Sequence, residues 1–436
     1  MSPIAWAGRR ATCPGTFSVS GPGTLDGVRT QVVTVVGIGA DGWPGLPAPS
    51  RAALERAEAI VASPRQLSLL PEIIAAERVT LPSPLLPGLA EAIESRAPAA
   101  LAVLASGDPM FYGIGSTLAR LLGAGRIRVL PHPSSVSLAA ARLGWPLDDV
   151  DVVSLVGRPR ELLHPLLQPG RRVLVLVAER TAAADVRALL ATRGFGGSPL
   201  TLLADLDAPD EVVMTAGGEP HSRLAILAIE CRLDAGTRPL PRVPGLPDDA
   251  FEHDGQITKR EARALALAAL APVPGQLLWD VGAGSGSVGI EWMRAHPASR
   301  AIAIEPRAER RARIARNALA LGVPGLVIVD GQAPAALAGL PRPDAVFIGG
   351  GLTACGLVAG CLEALADGGR LVANAVTLEG ERVLADWHGR IGGTLTRLAI
   401  DRAGQLGGLT AWRPALPVTQ WAAVKAAGQS RPREDT

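Results

Sequence analysis

Short apolar runs alternate with segments of helical period through the first half of the chain. The runs at 31–39, 99–106 and 171–179 are rich in Val, Leu and Ala, and the segments at 51–62 and 181–194 repeat Ala, Leu and Arg at helical spacing. Apolar strands that alternate with amphipathic helices are typical of an α/β fold with a mostly parallel sheet. We therefore predict an α/β first half.

The second half repeats this rhythm in a tighter order. A helix at 259–270 precedes an apolar strand and a Gly-rich loop at 276–286, and a helix at 288–296 and a strand at 300–305 follow. This order predicts a doubly wound sheet, in which ligands bind where loops leave the carboxyl ends of the strands. The stretch 345–362 has no charged residue, but its five glycines indicate a buried strand, a turn and a helix start, and not a membrane span.

A Pro-rich stretch separates the two halves. The prolines within 239–247 cannot continue a helix or a central strand, so this stretch predicts an extended linker with a domain boundary near residue 245. The halves share no motif spacing, and we do not predict an internal repeat. The expected organisation is a flexible N-terminal arm at 1–30, a first domain at 31–238, the linker at 239–250, a second domain at 251–425 and a flexible tail at 426–436.

Composition excludes several classes of protein. With 48% hydrophobic residues, the 436-residue chain can bury sizeable cores, which excludes a disordered protein. A formal charge of +2 without runs of like charge disfavours a nucleic-acid partner. The N-terminus lacks the apolar stretch of a signal peptide, and the four cysteines lack metal-binding spacing. We therefore expect a cytoplasmic protein with no membrane partner and no metal.

Arginine supplies all the basic residues except Lys259 and Lys425. A GC-rich coding bias explains this usage, and guanidinium forks for a carboxylate-rich ligand are the second interpretation. Five arginines recur along the helix predicted at 307–322, and we expect this row to be a solvated face. Its members are Arg307, Arg310, Arg311, Arg313 and Arg316. The histidines other than His253, which are 132, 164, 221, 296 and 388, show no partner pattern and are expected to be structural.

The Gly-rich loop of the second half predicts a nucleoside site. Gly284, Gly286 and Gly289 form a G-x-G-x-x-G pattern with Glu305 about twenty residues on, so a dinucleotide site is one interpretation. Asp280, two residues before Gly282 at the start of the loop, suits a cationic ligand end better than a pyrophosphate. Glu305 can accept ribose hydroxyls, and the turn 330–333 can flank an adenine, so we favour a nucleoside without phosphates.

These features together resemble the class I S-adenosylmethionine (SAM) methyltransferases. The resemblance implies that SAM contacts Asp280, Gly282, Ala283, Gly284, Ser285, Gly286, Glu305, Asp330 and Ala333. The turn Ile348-Gly-Gly-Gly351 stands where base methyltransferases carry Pro-Pro-aromatic, which leaves either an open floor for a large flat ligand or a plain turn.

A polar segment precedes the first helix of the second half. Its residues 253–261, HDGQITKRE, contain Thr258 and Glu261 at the spacing of a capping box, and the alternative is a segment that folds over the Gly-rich loop and adds Thr258 to the SAM site. Together with the D-V-G-A-G-S-G loop, this segment resembles the CbiT-type methyltransferases of corrin biosynthesis, over residues 245–425.

Three ordered motifs mark the first half. Gly37-x-Gly39 follows a strand but leads into Trp43-Pro44 and not into a helix, which excludes a dinucleotide loop. Ser106-Gly-Asp-Pro109 and later Ser134-Ser135 complete the set. The set resembles the CbiE branch of the tetrapyrrole methylases over residues 30–235, although Ala40 replaces a common proline. The resemblance implies two α/β lobes and a SAM site at Gly37, Gly39, Ser106, Gly107, Asp108, Phe111, Ser134 and Ser135.

A CbiE-like half fused to a CbiT-like half resembles the bifunctional precorrin methyltransferases of the aerobic cobalamin route. This resemblance implies one SAM per domain, a tetrapyrrole substrate and a homo-oligomer. It also implies methylation of C5 by the first half, and decarboxylation of the C12 acetate with methylation of C15 by the second half, to give precorrin-8. Methyl transfer to an enamine-like carbon needs positioning and exclusion of water more than a strong base.

In decarboxylation the conjugated macrocycle acts as the electron sink once it is protonated. A proton donor is therefore expected near the ring. His253, Asp254 and Lys259 are the candidates, and structural hydrogen bonding is the alternative for each. Two other functions stay open at this point. One is a SAM methyltransferase for another tetrapyrrole, RNA or a protein. The other is a non-catalytic tetrapyrrole carrier, which would be expected to show decayed loops.

Overall fold

The structure is a computed structural model that describes residues 32–96, 100–178, 182–215 and 225–426. The predicted N-terminal arm, Cys13, His221 and the tail from residue 427 lie outside these residues. The described chain divides into two compact units, with the boundary between Ser134 and Ser135. This division falls within the predicted first domain, and the boundary near residue 245 stays a prediction.

The first unit contains a five-stranded sheet in which every pair of neighbours is parallel. The strands are β1 Val33–Ile38, β2 Ala59–Ala62, β3 Glu77–Thr80, β4 Leu101–Ser106 and β5 Ile127–Leu130, in the order β3-β2-β4-β1-β5. The helices are α1 Gly42–Gly45, α2 Ala48–Glu55, α3 Pro64–Ser68, α4 Leu85–Glu94 and α5 Ile114–Leu122. Strands β1, β2 and β4 are buried on both faces, as their continuous apolar runs predict.

The second unit begins with a mixed sheet, which corrects the expectation of mostly parallel strands throughout the first half. The elements are α6 Ser135–Leu143, β6 Val150–Ser154, β7 Arg172–Val177, α7 Ala182–Thr192, β8 Leu200–Ala204, β9 Val212–Thr215 and β10 Ala225–Glu230. In the order β6-β7-β10-β8-β9, only the β6–β7 pair is parallel. The short connection from β8 to β9 cannot hold the crossover that a parallel pair requires.

A doubly wound sheet follows, as predicted for the second half. Its order is β13-β12-β11-β14-β15-β19-β16, and the first five strands are parallel. The strands are β11 Leu277–Val281, β12 Arg300–Glu305, β13 Val327–Asp330, β14 Ala345–Ile348, β15 Arg370–Ala375, β16 Thr394–Leu398 and β19 Val418–Val424, and β17 Asp401–Leu406 and β18 Leu409–Pro414 form a separate hairpin. The helices are α8 Arg260–Leu270, α9 Ser287–Ala295, α10 Ala308–Ala320, α11 Leu357–Ala364 and α12 Leu378–Ile391.

Apolar side chains fill both faces of this sheet. Trp292 and Phe347 belong to the core on one face, and Trp279 and Trp421 belong to the core on the other. The uncharged stretch 345–362 forms the buried strand β14, a glycine turn and the start of α11. Among the described residues, no helix has both the length and the apolar character that crossing a membrane requires.

A buried ion pair connects the linker to this sheet's helices. Arg263 on α8 is fully buried, and its Nε donates to Glu291 Oε1 on α9 at 2.6 Å. The Glu291 carboxylate also accepts the backbone N–H groups of Gly245 at 2.6 Å and Leu246 at 3.0 Å. The other Arg263 nitrogens donate to the carbonyl oxygens of Leu246 and Thr258. One ion pair thereby holds the end of the linker and the start of α8.

Replacing Arg263 by Met is expected to destabilise the protein because it leaves the Glu291 carboxylate buried without a cation. Breaking one partner of a buried pair costs about 3–5 kcal/mol. Arg260→Met, an exposed position on the same helix, is the matched control and should change stability little. Urea unfolding of the full chain checks this expectation, and equal midpoints for the two variants would contradict it.

Candidate functional site

The Gly-rich loop 282–286 lies at the carboxyl edge of the doubly wound sheet, where the strand order reverses. The connection after β11 runs to β12 and that after β14 runs to β15 on the other side, which opens a crevice between them. Gly282 has a φ of +68°, and a Cβ atom there would lie 2.7 Å from the Gly350 backbone. The turn 349–351 therefore packs directly against the loop, and only glycine fits position 282.

Asp280 lies at the end of β11 and is bonded within the protein. Its side chain is buried, and Oδ2 accepts the N–H of Gly289 at 2.9 Å. Burial, with a further contribution from Glu305, raises the pKa of Asp280 to about 7. The carboxyl group thus anchors the first turn of α9, and its contact with a cationic ligand end stays a prediction.

Glu305 supports the loop from the end of β12. Its buried carboxylate accepts the Gly284 N–H through Oε2 at 2.9 Å and the Arg307 N–H through Oε1 at 3.1 Å. Each carboxylate oxygen has two lone pairs, so one on each oxygen is left for ligand hydroxyls. Ser285 Oγ, also buried, has no hydrogen-bond partner among the described residues. The Glu305 carboxylate therefore fits the ribose hydroxyls of a nucleoside, and the Ser285 hydroxyl fits another of its polar groups.

The turn after β13 lies at the same sheet edge. Asp330 is exposed and pairs with Arg311 at 2.7 Å, and Ala333 is half-buried against the core. Ala283 is also half-buried within the loop. These residues remain candidates for one side of an adenine pocket.

Residues 251–259, which we term the leading segment, lie against the Gly-rich loop. A Cβ atom at position 284 would be 3.3 Å from the Gln256 carbonyl oxygen. Buried Asn317 joins the two parts: its side chain bonds both the N–H and the C=O of Glu252, at 2.8 and 3.0 Å, and donates to the Ser285 carbonyl at 2.9 Å. Sequence reasoning did not identify Asn317, because its partners are distant in the chain.

The capping box predicted at Thr258 is wrong. The N-cap of α8 is Lys259, without a side-chain hydrogen bond, and the Thr258 carbonyl is held by Arg263 instead. The arginine row is only in part a solvated face, because Arg307 and Arg316 are exposed whereas Arg310, Arg311 and Arg313 are partly buried. It binds acidic residues of the leading segment and Asp330, through the pairs Arg310–Asp254, Arg313–Asp254, Arg316–Glu252 and Arg311–Asp330.

The three proton-donor candidates differ in their surroundings. Asp254 bonds Arg310 at 2.9 Å and Arg313 at 3.2 Å, and the Arg310 hydrogen bond holds the pKa of this carboxyl well below its usual range. Such a carboxylate is a poor acid, which disfavours Asp254. His253 Nδ1 accepts the Gly255 N–H at 3.0 Å, which leaves Nε2 available. The Lys259 ammonium lies 4.0 Å from Asp248 and is half-exposed.

The motifs of the first half converge at the carboxyl edge of the first sheet. β1 lies between β4 and β5, so the loops after these three strands are neighbours. A Cβ atom at Gly37 would lie 2.1 Å from the Gly107 carbonyl oxygen and 2.7 Å from the His132 nitrogen. The two outer loops therefore close on β1, and the Gly107 N–H donates to the Ile38 carbonyl at 2.9 Å. This arrangement leaves backbone groups, and few side chains, at the edge.

The loop after β4 has its own supports. Buried Gln66 donates to Ser106 Oγ at 3.1 Å, and Asp108 Oδ1 accepts the Met110 N–H at 2.8 Å. Phe111 packs edge-on against Tyr112 at 5.0 Å between ring centroids, and both rings are exposed. Ser134 ends the first unit and Ser135 begins α6, so this last motif spans the unit boundary.

Asp41 and His132 are candidates that sequence reasoning missed. Asp41 Oδ2 lies 3.5 Å from Nε2 of buried His132, and Asp41 Oδ1 has no hydrogen-bond partner among the described residues. Cβ atoms at Gly39 and Gly45 would overlap this carboxylate, at 2.4 and 1.6 Å. The signal in the sequence was the acidic residue two positions after Gly39. The free oxygen can accept a hydrogen bond from a ligand in the edge crevice.

The described cysteines, Cys231, Cys355 and Cys361, are unpaired. Within the described ranges, no group of three metal-ligating side chains occurs.

Comparisons with known proteins cover both halves. The family model for tetrapyrrole (corrin/porphyrin) methylases matches residues 32–219, and that for a precorrin methyltransferase domain matches 249–425. The chain is 51% identical over 399 residues to the precorrin-6Y C(5,15)-methyltransferase [decarboxylating] of Sinorhizobium sp, which covers 90% of this chain and 96% of the relative. It is 45% identical to the enzyme of that name from Mycobacterium tuberculosis (strain ATCC 25618 / H37Rv), with coverage of 90% and 100%.

One solved structure is similar to the second half. It is the C-terminal domain of precorrin-6Y C5,15-methyltransferase from Rhodobacter capsulatus, which is 52% identical with a TM-score of 0.41 and covers 43% of this chain and 100% of its own.

Replacing Asp280 by Asn should flatten the dependence of stability on pH. Between the usual Asp pKa near 3.8 and the folded value of about 7, the folded protein binds one proton more than the unfolded chain. The free energy of unfolding therefore falls as pH rises through this window, by about 1.4 kcal/mol per unit. The stabilisation of the folded protein by protonated Asp280 is complete below the pKa of this residue in the unfolded chain. It is lost as pH rises through the pKa in the folded protein.

In Asp280→Asn the amide oxygen can still accept the Gly289 N–H. Because the amide does not titrate, the contribution of residue 280 to the pH dependence of the unfolding free energy disappears. Urea unfolding at pH 5, 6, 7 and 8 checks it, with exposed Asp330→Asn as the control. Parallel curves for wild type and Asp280→Asn would contradict the assignment.

Proposed function

This chain belongs to the family of decarboxylating precorrin-6Y C5,15-methyltransferases, and from that membership we propose the reaction. It transfers methyl groups from SAM to C5 and C15 of precorrin-6Y and removes the carboxyl group of the C12 acetate as CO2, giving precorrin-8. One observation carries the proposal: the chain has two strand-edge crevices, each at the carboxyl ends of parallel strands in its own sheet and each closed by glycines that lie close to neighbouring backbone.

We assign one SAM site to each half. When bound, SAM supplies an electrophilic methyl group. In the second half, Glu305 has free lone pairs at the end of β12 and Ser285 has an unpartnered hydroxyl, so both fit the polar parts of this cofactor. In the first half, the backbone around Gly37 and Gly107 and the free oxygen of Asp41 supply the polar contacts. The other residues that the sequence analysis predicted to contact SAM stay part of this proposal.

The first half methylates C5 in this proposal. The substrate carbon is already nucleophilic, so the residues at this edge need to orient the ring and exclude water. The exposed rings of Phe111 and Tyr112 offer an apolar surface for a macrocycle beside the donor loop.

The second half decarboxylates and methylates C15. Loss of CO2 leaves an electron pair that passes into the protonated conjugated ring, so a protein acid must serve the ring. Of the three candidates, Asp254 is disfavoured because Arg310 and Arg313 hold it as a carboxylate, which leaves His253 and Lys259. The leading segment carries both remaining candidates and lies against the donor loop.

A cytoplasmic location, a homo-oligomeric state and the absence of nucleic-acid and membrane partners stay predictions from the sequence. The domain boundaries likewise stay a proposal.

Blocking either crevice should abolish one function and leave the other. Ser106→Trp places an indole at the exposed end of β4, and Ala333→Trp places one beside the second loop. Calorimetric titration with SAM should give two sites in the wild type and one in each variant. Mass spectrometry should show a product without the C5 methyl group for Ser106→Trp, and one that keeps its carboxyl group and lacks the C15 methyl group for Ala333→Trp.

Exposed Ser95→Trp and Ala338→Trp are the matched controls and should keep both sites. A single SAM site in the wild type, or loss of both sites in either variant, would contradict the assignment of one site to each half.

A further inference from the structure

A cavity of about 420 Å³ lies within the second unit, and none of its lining residues belongs to the loop 282–286. It is bounded by a short 3₁₀ helix at 160–166, by the residues that follow α7 and by α9 of the doubly wound domain. Its polar lining comprises His164, Arg193, Arg238 and Arg294, and Leu167 and Phe195 contribute apolar walls. The cavity thus lies between residues that pack around the mixed sheet and helix α9 of the domain that carries the loop 282–286.

The arginines of this cavity have no carboxylate partner. Among the described residues, no ion pair involves Arg193, Arg238 or Arg294. Arg294 is 3% exposed, and its Nε is buried without a hydrogen-bond partner. Its other nitrogens donate to the carbonyl oxygens of Leu321 and Pro241. The acidic residue that acts on Arg294, Glu291, is already bonded to Arg263.

The electrostatic environment reflects this excess of positive charge. Burial and the nearby Arg193 lower the pKa of Arg294 to about 10, and the same two causes lower the pKa of His164 to about 3. His164 is therefore neutral at physiological pH. Its Nδ1 lies 2.9 Å from the Ala320 carbonyl and 3.1 Å from an Arg193 nitrogen. Because Nδ1 cannot donate to the carbonyl and accept from Arg193 together, one of these groups is left unsatisfied.

We propose that this cavity binds the carboxylate group of an organic acid with a short aliphatic stem. Guanidinium groups bind carboxylates through paired, charge-assisted hydrogen bonds, and a bound anion would offset the buried positive charge. The apolar walls suit an aliphatic stem better than an inorganic anion. At about 420 Å³ the cavity is at the lower end of ligand pockets, which favours a small acid or one arm of a larger molecule.

The two sources of this chemistry are a free carboxylic acid and an acetate or propionate arm of a tetrapyrrole. The second source rests on the proposed function, and the carboxylate site itself does not. An arm held here would dock the substrate in contact with α9 of the second domain.

Calorimetric titration of the full chain with glutarate, at constant ionic strength, tests the site. We expect saturable binding that Arg193→Gln and Arg238→Gln each weaken about tenfold, a loss of about 1.4 kcal/mol. Arg187→Gln, an exposed position on α7, is the matched control and should bind as the wild type does. Inorganic phosphate should bind more weakly than glutarate. Absence of saturable binding, or binding that Arg193→Gln leaves unchanged, would overturn the proposal.

Thermal unfolding without ligand separates a binding role from a structural one. Arg193→Gln removes a buried repulsion with Arg294, so its midpoint should equal or exceed that of the wild type. A clear decrease, together with unchanged glutarate binding by Arg238→Gln, would assign these arginines to structure and overturn the site.

Coproporphyrin, which carries four propionates, distinguishes the two sources. If coproporphyrin competes with glutarate, a tetrapyrrole arm is supported as the ligand. If glutarate binds and coproporphyrin does not compete, the tetrapyrrole source is overturned and a free acid is supported. SAM titration of the same samples keeps the proposals apart. Two SAM sites without glutarate binding overturn this site alone, and glutarate binding without SAM binding overturns the proposed function alone.

Discussion

Glu291 is the carboxylate on which the organisation of the second half depends. It is buried on α9, where it neutralises Arg263 and accepts the N–H groups at the end of the linker. A buried carboxylate with a single partner would be costly, but here its three contacts fix two parts of the chain, the linker at 245–246 and helix α8. Arg263 in turn holds the Thr258 carbonyl, which sets where the leading segment ends and α8 begins. Asn317 then fastens the other end of that segment to the glycine loop.

The two halves use the same physical arrangement with different polar groups. In each, parallel strands bring several loops to one edge, and glycines allow those loops to approach within contact of one another. In the second half, the acidic residues Asp280 and Glu305 mainly hold the loop through backbone N–H groups. In the first half, Asp41 keeps an oxygen free beside buried His132. The second half therefore supports its loop with two buried acidic side chains, and the first half has a single acidic side chain, Asp41, at its loop.

Much of the fold could be predicted from the sequence, because continuous apolar runs separated by helical segments leave few alternatives to parallel sheets. The mixed sheet escaped prediction, since apolar strands such as β7 and β10 look alike whether their neighbours are parallel or antiparallel. The glycines of both candidate sites were predictable, because they recur in short ordered motifs directly after an apolar strand. Asn317, Gln66 and the Arg263–Glu291 pair were not, because their partners lie far away in the chain. For the same reason the arginines of α10 were assigned to solvent, although the leading segment supplies their carboxylate partners.

The central claim is that one chain carries two separate methyl-donor sites. A crystal structure of the full chain grown with S-adenosylhomocysteine tests it most directly, because it locates the nucleoside without the labile substrate. The account predicts two molecules. One should lie on the loop 282–286 with its ribose at Glu305, and the other should lie at the edge formed by β4, β1 and β5 beside Gly107. Density for a single molecule, or for a nucleoside bound away from either glycine loop, would contradict it.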